Sequence, residues 1–201
     1  MILRRLLAAA AVIGTLSHGA AAPALAQAEG ADMPAGGPAS LVDHHGRRVA
    51  FDDFRGNFVL VFFGYTHCPD ICPTDLAVLA EALDRLGAPG ERVRPLFITI
   101  DPERDTVAVL AAYVAHFHPR LIGLTGAPAD IRALADRYRV GYTKVYPEAG
   151  SAVGASDYFL DHTAASYLVG PDGRILGLFR HGTPAADIAA AIRPLLDHEP
   201  R

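Results

Sequence analysis

Apart from Cys68 and Cys72, the 201-residue chain contains no cysteine. A disulfide-built scaffold is thereby excluded, as are a four-thiolate zinc site and a typical iron–sulfur cluster, which two thiolates cannot complete. Only three residues separate the pair, so a bridge between them would close too short a loop to constrain the unfolded chain. Whatever thiol chemistry the protein has is therefore either redox chemistry or the capture of a soft metal. The chain also lacks an apolar run long enough to span comfortably the roughly 30 Å of a bilayer core. Nor does it carry an excess of basic charge: 18 Lys and Arg stand against 22 Asp and Glu. Setting aside Arg4 and Arg5 of the N-terminal segment leaves 16 basic residues against 22 acidic ones, a net charge of −6 with the histidines neutral. Such a surface gives no electrostatic reason to bind nucleic acid or anionic lipid, and points to proteins or small cations as partners. No internal repeat is present.

Arg4 and Arg5 precede the apolar stretch Leu6 to Leu16, and small residues follow to Ala26. That order is the pattern of a secretory leader. Residues 1–26 are expected to be a signal peptide cleaved after Ala26 or Ala28, with an uncleaved anchor as the competing reading, and the protein to be exported to the periplasm. Residues 27–40, rich in Ala, Gly and Pro, read as a flexible linker. Residues 41–198 then suffice for one domain with its own core.

Within that domain, Leu41 to Val49 reads as a hairpin turning near His45-Gly46. Phe58 to Phe63 is a continuous apolar run, as a strand covered on both faces requires. Leu76, Leu79, Ala80, Leu83 and Leu86 recur at helical spacing and stop at Gly87. A strand is expected over Val93 to Ile100, a helix over Thr106 to Phe117, a short strand over Leu121 to Leu124 and a helix over Ala129 to Arg139. Gly141 to Tyr146 reads as extended chain, Pro147 to Asp157 as an excursion, and Tyr158 to Leu160 as extended chain again. Ser166 to Val169 and Arg174 to Phe179 flank the turn Gly170-Pro171-Asp172-Gly173 as a hairpin. A helix begins near Ala185, with Thr183 as N-cap, and is expected to kink or end at Pro194. The sum is an α/β, thioredoxin-like mixed sheet flanked by helices, with an N-terminal hairpin.

The cysteines lie in Gly64-Tyr65-Thr66-His67-Cys68-Pro69-Asp70-Ile71-Cys72-Pro73. Each proline biases the cysteine before it away from helical angles. Pro73 suits the first helical position, which would put Cys72 at the N-cap and lower its pKa. A soft metal held by two thiolates needs a further ligand. His162, in Asp161-His162-Thr163, enters the strand that faces the cysteine loop in a thioredoxin-like sheet. Oxidoreductases of that fold place a cis-proline there, but Asp161 to Val169 contains no proline.

These segments, together with Ile100-Asp101-Pro102-Glu103-Arg104-Asp105-Thr106 and Tyr167-Leu168-Val169, resemble the SCO/SenC family of copper-binding proteins of cytochrome c oxidase assembly. The resemblance covers roughly Leu41 to Leu196. It implies that Cys68, Cys72 and His162 bind copper as Cu(I) or Cu(II). It further implies that copper passes to the binuclear copper site of cytochrome c oxidase subunit II. Another copper chaperone and a thioredoxin-like reductant are the further partners it suggests. The alternative is an exported thiol-disulfide oxidoreductase using Cys68 and Cys72 as a redox-active pair. Two thiolates suit Cu(I), while an added imidazole and an oxygen donor suit Cu(II). Water, Asp70 or Asp161 could supply that oxygen. A peroxidase is disfavoured because Val61 and Tyr65 stand where such sites carry Pro and Thr. His67 is expected to point away from the sulfurs, and His44-His45 and His116 with His118 to be turn and helix-end residues. The segment Asp101 to Asp105 reads either as a docking surface or as a helix cap formed by Asp105.

Overall fold

The computed structural model describes residues 40–146 and 158–198. The leader expected over 1–26, the linker up to its last residue Ser40, and the excursion expected over Pro147 to Asp157 lie outside them. Among the described residues, no helix is long and apolar enough to cross a membrane.

The apolar run forms β3 (Phe58–Gly64), every residue of which is buried. It is buried because it sits inside a seven-stranded sheet ordered β2-β1-β5-β4-β3-β8-β9. The strands are β1 (Leu41–Asp43), β2 (Arg48–Val49), β4 (Val93–Thr99), β5 (Ile122–Gly126), β8 (Ala165–Val169) and β9 (Ile175–Arg180). β3 pairs parallel with β4 and antiparallel with β8. The expected N-terminal hairpin is present as β1 and β2, with Gly46 at φ 81° supplying the left-handed residue of its turn.

One face of the sheet, carrying Phe62, Gly64, Phe97 and Gly123, receives α1 (Ile71–Leu86) and α2 (Val107–Val114). The other face, carrying Phe63, meets Tyr138 just past α3 (Pro128–Arg137), with Tyr167 beside it. α1 also packs on the last helix, α4 (Ala185–His198). Two expectations about α4 need correction. The Thr183 hydroxyl donates back to the Arg180 carbonyl at 2.7 Å instead of capping the helix. The helix also continues through Pro194 and does not end there. Pro194 and Ala190, whose carbonyl the proline leaves without a donor, both lie on the exposed side, where water can serve that carbonyl. Burial of Ile192 and Leu196 and the bond from Arg92 Nη1 to the Leu196 carbonyl, 2.8 Å, favour the extra turn.

A separate two-stranded ribbon, β6 (Tyr142–Val145) and β7 (Phe159–His162), lies beside the sheet. Its second strand runs two residues beyond the expected Leu160, and so carries His162.

Candidate metal centre

Gly64 ends β3 directly beneath the cysteine loop. A Cβ there would lie 2.9 Å from the Cys72 sulfur and 2.9 Å from Phe97, so only glycine lets the sulfur settle against the sheet. The loop then leads into α1, whose N-cap is Asp70 and whose second residue is Cys72. This corrects the expected N-cap at Cys72. Any of the first helical positions lacks an intrahelical partner for its N–H, so Pro73 fits the third as well as the first. The freed Cys72 N–H donates to the Cys68 sulfur at 3.4 Å.

Cys72 is fully buried and Cys68 is partly exposed. The hydrogen bond from the Cys72 thiol holds Cys68 down to about 3, against the effect of burial, with His162 and the backbone N–H groups of Cys72 and Asp70 adding to it. The same bond, then burial, pushes Cys72 up. The ionised sulfur is therefore Cys68, not Cys72 as the N-cap argument expected.

β7 brings His162 to this pair. Its Nδ1 donates to the Thr163 carbonyl, which can only accept, at 3.1 Å, and Nε2 faces the sulfurs. Nε2 lies 3.5 Å from the Cys72 sulfur. The donor atoms of Cys68, Cys72 and His162 all lie within 4.8 Å of one another, and they are the group of this kind found among the described residues. Two donors on one ion sit at most about 4.6 Å apart, twice a metal–sulfur bond of ~2.3 Å, so closing on a metal needs little movement.

Cys68 and His162 open onto a cavity of about 300 Å³, which Tyr65, Asp70, Ile71, Phe159 and Asp161 also line, while Cys72 is buried. Asp70 and Asp161 thus stand at the mouth but outside the three-donor cluster. His67 is half-exposed, 3.2 Å from the Thr66 hydroxyl and outside the cluster, as expected. His44 and His118 are structural: each accepts a backbone N–H through Nδ1, from Gly123 and Arg120. Sequence reasoning missed Tyr65, whose hydroxyl accepts the Leu160 N–H at 3.1 Å, and Tyr158, which binds Asp101. No local pattern announces either bond, since the partners are 95 and 57 residues apart.

The helix cap expected of Asp105 needs correction. Thr106 caps α2, accepting the Val109 N–H. Asp105 is wholly buried and faces inward to Thr66 and Thr99.

A family model described as SCO1/SenC matches residues 27–197. The chain is 47% identical over 159 residues to the mitochondrial protein SCO2 homolog of Bos taurus, covering 78% of this chain and 58% of that protein. It spans less than two thirds of the length of the curated relatives it matches. Among solved structures, that of Arabidopsis thaliana ScoI with copper bound superposes at TM-score 0.73 with 39% identity, covering 82% of this chain and 99% of that one. The Bradyrhizobium japonicum ScoI structure with copper bound gives TM-score 0.70 and 41% identity, over 79% and 98% of the two chains.

Proposed function

Because the chain belongs to the SCO1/SenC family, we propose that it is a copper metallochaperone that holds Cu(I) or Cu(II) through Cys68, Cys72 and His162. It would deliver that copper to the binuclear site of cytochrome c oxidase subunit II. The observation that carries the reading is the convergence of two sulfurs and an imidazole nitrogen within 4.8 Å of one another, beside an open cavity that Cys68 and His162 line. Two cysteine sulfurs, ionised when they bind metal, and an imidazole nitrogen match what copper takes from proteins. Relatives of 39% and 41% identity have been solved with copper bound, which supports the choice of metal. Copper is the cargo here, and release follows when a partner's ligands replace these three one by one.

The test is anaerobic copper titration of the reduced protein beside His162→Ala. One tight equivalent, with a thiolate-to-Cu(II) absorption band lost in the variant, is the expected result. Absence of tight copper binding by the wild-type protein would sink the reading.

A second reading has its own observation, the half-exposed Cys68 thiolate backed by the buried, protonated Cys72 thiol. In a thiol-disulfide oxidoreductase, Cys68 would attack a substrate disulfide, forming a mixed disulfide and releasing one substrate thiol. Cys72 would then attack the Cys68 sulfur, closing the Cys68–Cys72 disulfide and releasing the second thiol. Two electrons pass to the substrate. His162→Ala separates the readings, since it removes a copper ligand and leaves both thiols in place.

The compartment belongs to the proposal as well. The leader pattern over 1–26 supports export to a periplasm, whereas the Bos taurus relative is named mitochondrial, which stands against that word. N-terminal sequencing of the protein from its native host separates cleavage after Ala26 or Ala28 from an uncut anchor.

A further inference from the structure

The turn from Asp101 to Asp105, between β4 and α2, grips both halves of the metal centre. At one end, Asp105 Oδ2 accepts the Thr66 N–H at 3.0 Å and the Thr99 hydroxyl at 2.6 Å, while Oδ1 accepts the Thr66 hydroxyl at 2.6 Å. Thr66 lies two residues before Cys68, so this buried carboxylate fixes the chain that enters the cysteine loop. At the other end, Asp101 Oδ1 accepts the Tyr158 hydroxyl at 2.6 Å. Arg104 Nη1 donates to the Tyr158 carbonyl at 3.0 Å, its guanidinium lies 3.7 Å from the centre of the Tyr158 ring, and its Nε pairs with Asp101. Tyr158 directly precedes β7, the strand that ends at His162. Thr99 joins the two ends, donating its hydroxyl to Asp105 and accepting the Asp101 N–H at 2.9 Å.

The arrangement matters because, among the described residues, no backbone ladder joins the ribbon of β6 and β7 to the seven-stranded sheet. Besides the two-residue link from His162 into β8, side chains hold it. The exposed Lys144–Glu103 pair across the same turn, 2.7 Å, contributes little in high dielectric. The Tyr158, Asp101 and Arg104 contacts are largely buried, with Tyr158 7% exposed and Asp101 2%. There a charge-assisted hydrogen bond and a stacked guanidinium count for more.

We infer that this turn sets the separation between His162 and the two sulfurs, with Tyr158, Asp101 and Arg104 acting as positioning residues for His162, and Asp105 for the cysteine loop. The assignment rests on the copper-carrier reading, and one arm of its test does not. Metal ligands need their supports to hold them within about 0.5 Å of productive geometry. Two thiolates retain Cu(I), whereas Cu(II) depends on the imidazole, so a loosened ribbon weakens Cu(II) more than Cu(I).

The experiment compares wild type with Tyr158→Phe, which deletes only the hydroxyl bonded to Asp101, and with Asp101→Asn. In the metal-free reduced protein, the NMR signals of the His162 ring are expected to shift or broaden in both variants. Amide exchange at Leu160 should speed up while β3 keeps wild-type protection. With copper, Cu(II) affinity should fall roughly 10- to 100-fold, as when the outer partners of a metal ligand are removed. The Cu(II) EPR hyperfine pattern should change, and Cu(I) affinity should fall less. Arg104→Lys keeps the charge beside Asp101 but loses the planar stack over the ring, and is expected to fall between. A merely structural Tyr158 would lower the unfolding midpoint and leave the His162 ring signals and the Cu(II)-to-Cu(I) affinity ratio unmoved. That outcome in both variants overturns the assignment, and Tyr158→Phe alone decides it if Asp101→Asn does not fold. Should wild type take up no copper, the carrier reading falls, and the metal-free His162 signals still decide whether the turn places the imidazole.

Discussion

His162 Nε2 lies 3.5 Å from the sulfur of Cys72, although ninety residues separate the two in sequence. A metal that joins them ties the ribbon to the start of α1 and so favours the folded chain. Copper at a free concentration a thousand times its Kd should therefore raise the unfolding free energy by about 4 kcal/mol. Denaturant unfolding of the loaded and metal-free reduced protein measures this, and His162→Ala should lose most of the gain.

The two thiols should react in order. With Cys68 held at about 3 and Cys72 pushed up, alkylation of the reduced, metal-free protein should modify Cys68 first. Its rate should stay nearly flat from pH 6 to 9, where an ordinary thiol with pKa ~8.5 accelerates. Mass mapping that finds Cys72 labelled first would refute the assignment of charge.

Stability should follow the same pair. The unfolded chain carries protons on both thiols below pH ~8.5, while the folded chain keeps only the one on Cys72, so folding releases a proton between about pH 3 and 8.5. The contribution of the pair rises with pH across that window. Above it the unfolded state has lost both protons and the folded state still holds one, so the contribution declines. The slope should fall well short of the ~1.4 kcal/mol per pH unit of one full proton, because Cys68 is partly exposed. Urea midpoints of the reduced protein at several pH values, set against the Cys68→Ser, Cys72→Ser double variant, check the sign.

Gly64→Ala places a methyl group 2.9 Å from both the Cys72 sulfur and Phe97. Overpacking of this kind costs about 1–3 kcal/mol. The displaced sulfur should also alter the copper spectrum, which separates this change from simple destabilisation elsewhere in the core.

Asp105→Ala leaves the Thr66 N–H and the hydroxyls of Thr66 and Thr99 without their buried acceptor. Each stranded buried donor costs about 1–3 kcal/mol, with hydroxyls able to turn elsewhere, so a total loss of about 2–4 kcal/mol is expected in chemical denaturation. A loss below about 0.5 kcal/mol would mean that the carboxylate is not what holds the cysteine loop.

What could be read from the sequence was local. The apolar run from Phe58 to Phe63 and the periodic leucines from Leu76 to Leu86 each encode an element through their own spacing, and both elements formed where expected. Gly64 and the two cysteines were visible as a motif. Tertiary balance was harder to read. Pro73 is compatible with several first-turn positions, so it could not fix where α1 begins, and the charge went to the wrong sulfur as a result. Pro194 carries a strong local signal to stop, which the buried Ile192 and Leu196 outweigh. The segment from Asp101 to Asp105 read as a docking surface or a helix cap because the partners of Asp101 and Asp105, Tyr158 and Thr66, are remote in sequence.

The three donors stand on unequal footings. Both sulfurs belong to a loop and helix start pressed against the central strand, whereas the imidazole rides on a two-stranded arm whose backbone-to-backbone bonds, among the described residues, stay within the arm. The centre is built like a vice with one fixed jaw. In the proposed carrier, a receiving protein would draw the arm aside to uncover copper held on sulfur, while the central sheet stays as it is throughout the handover.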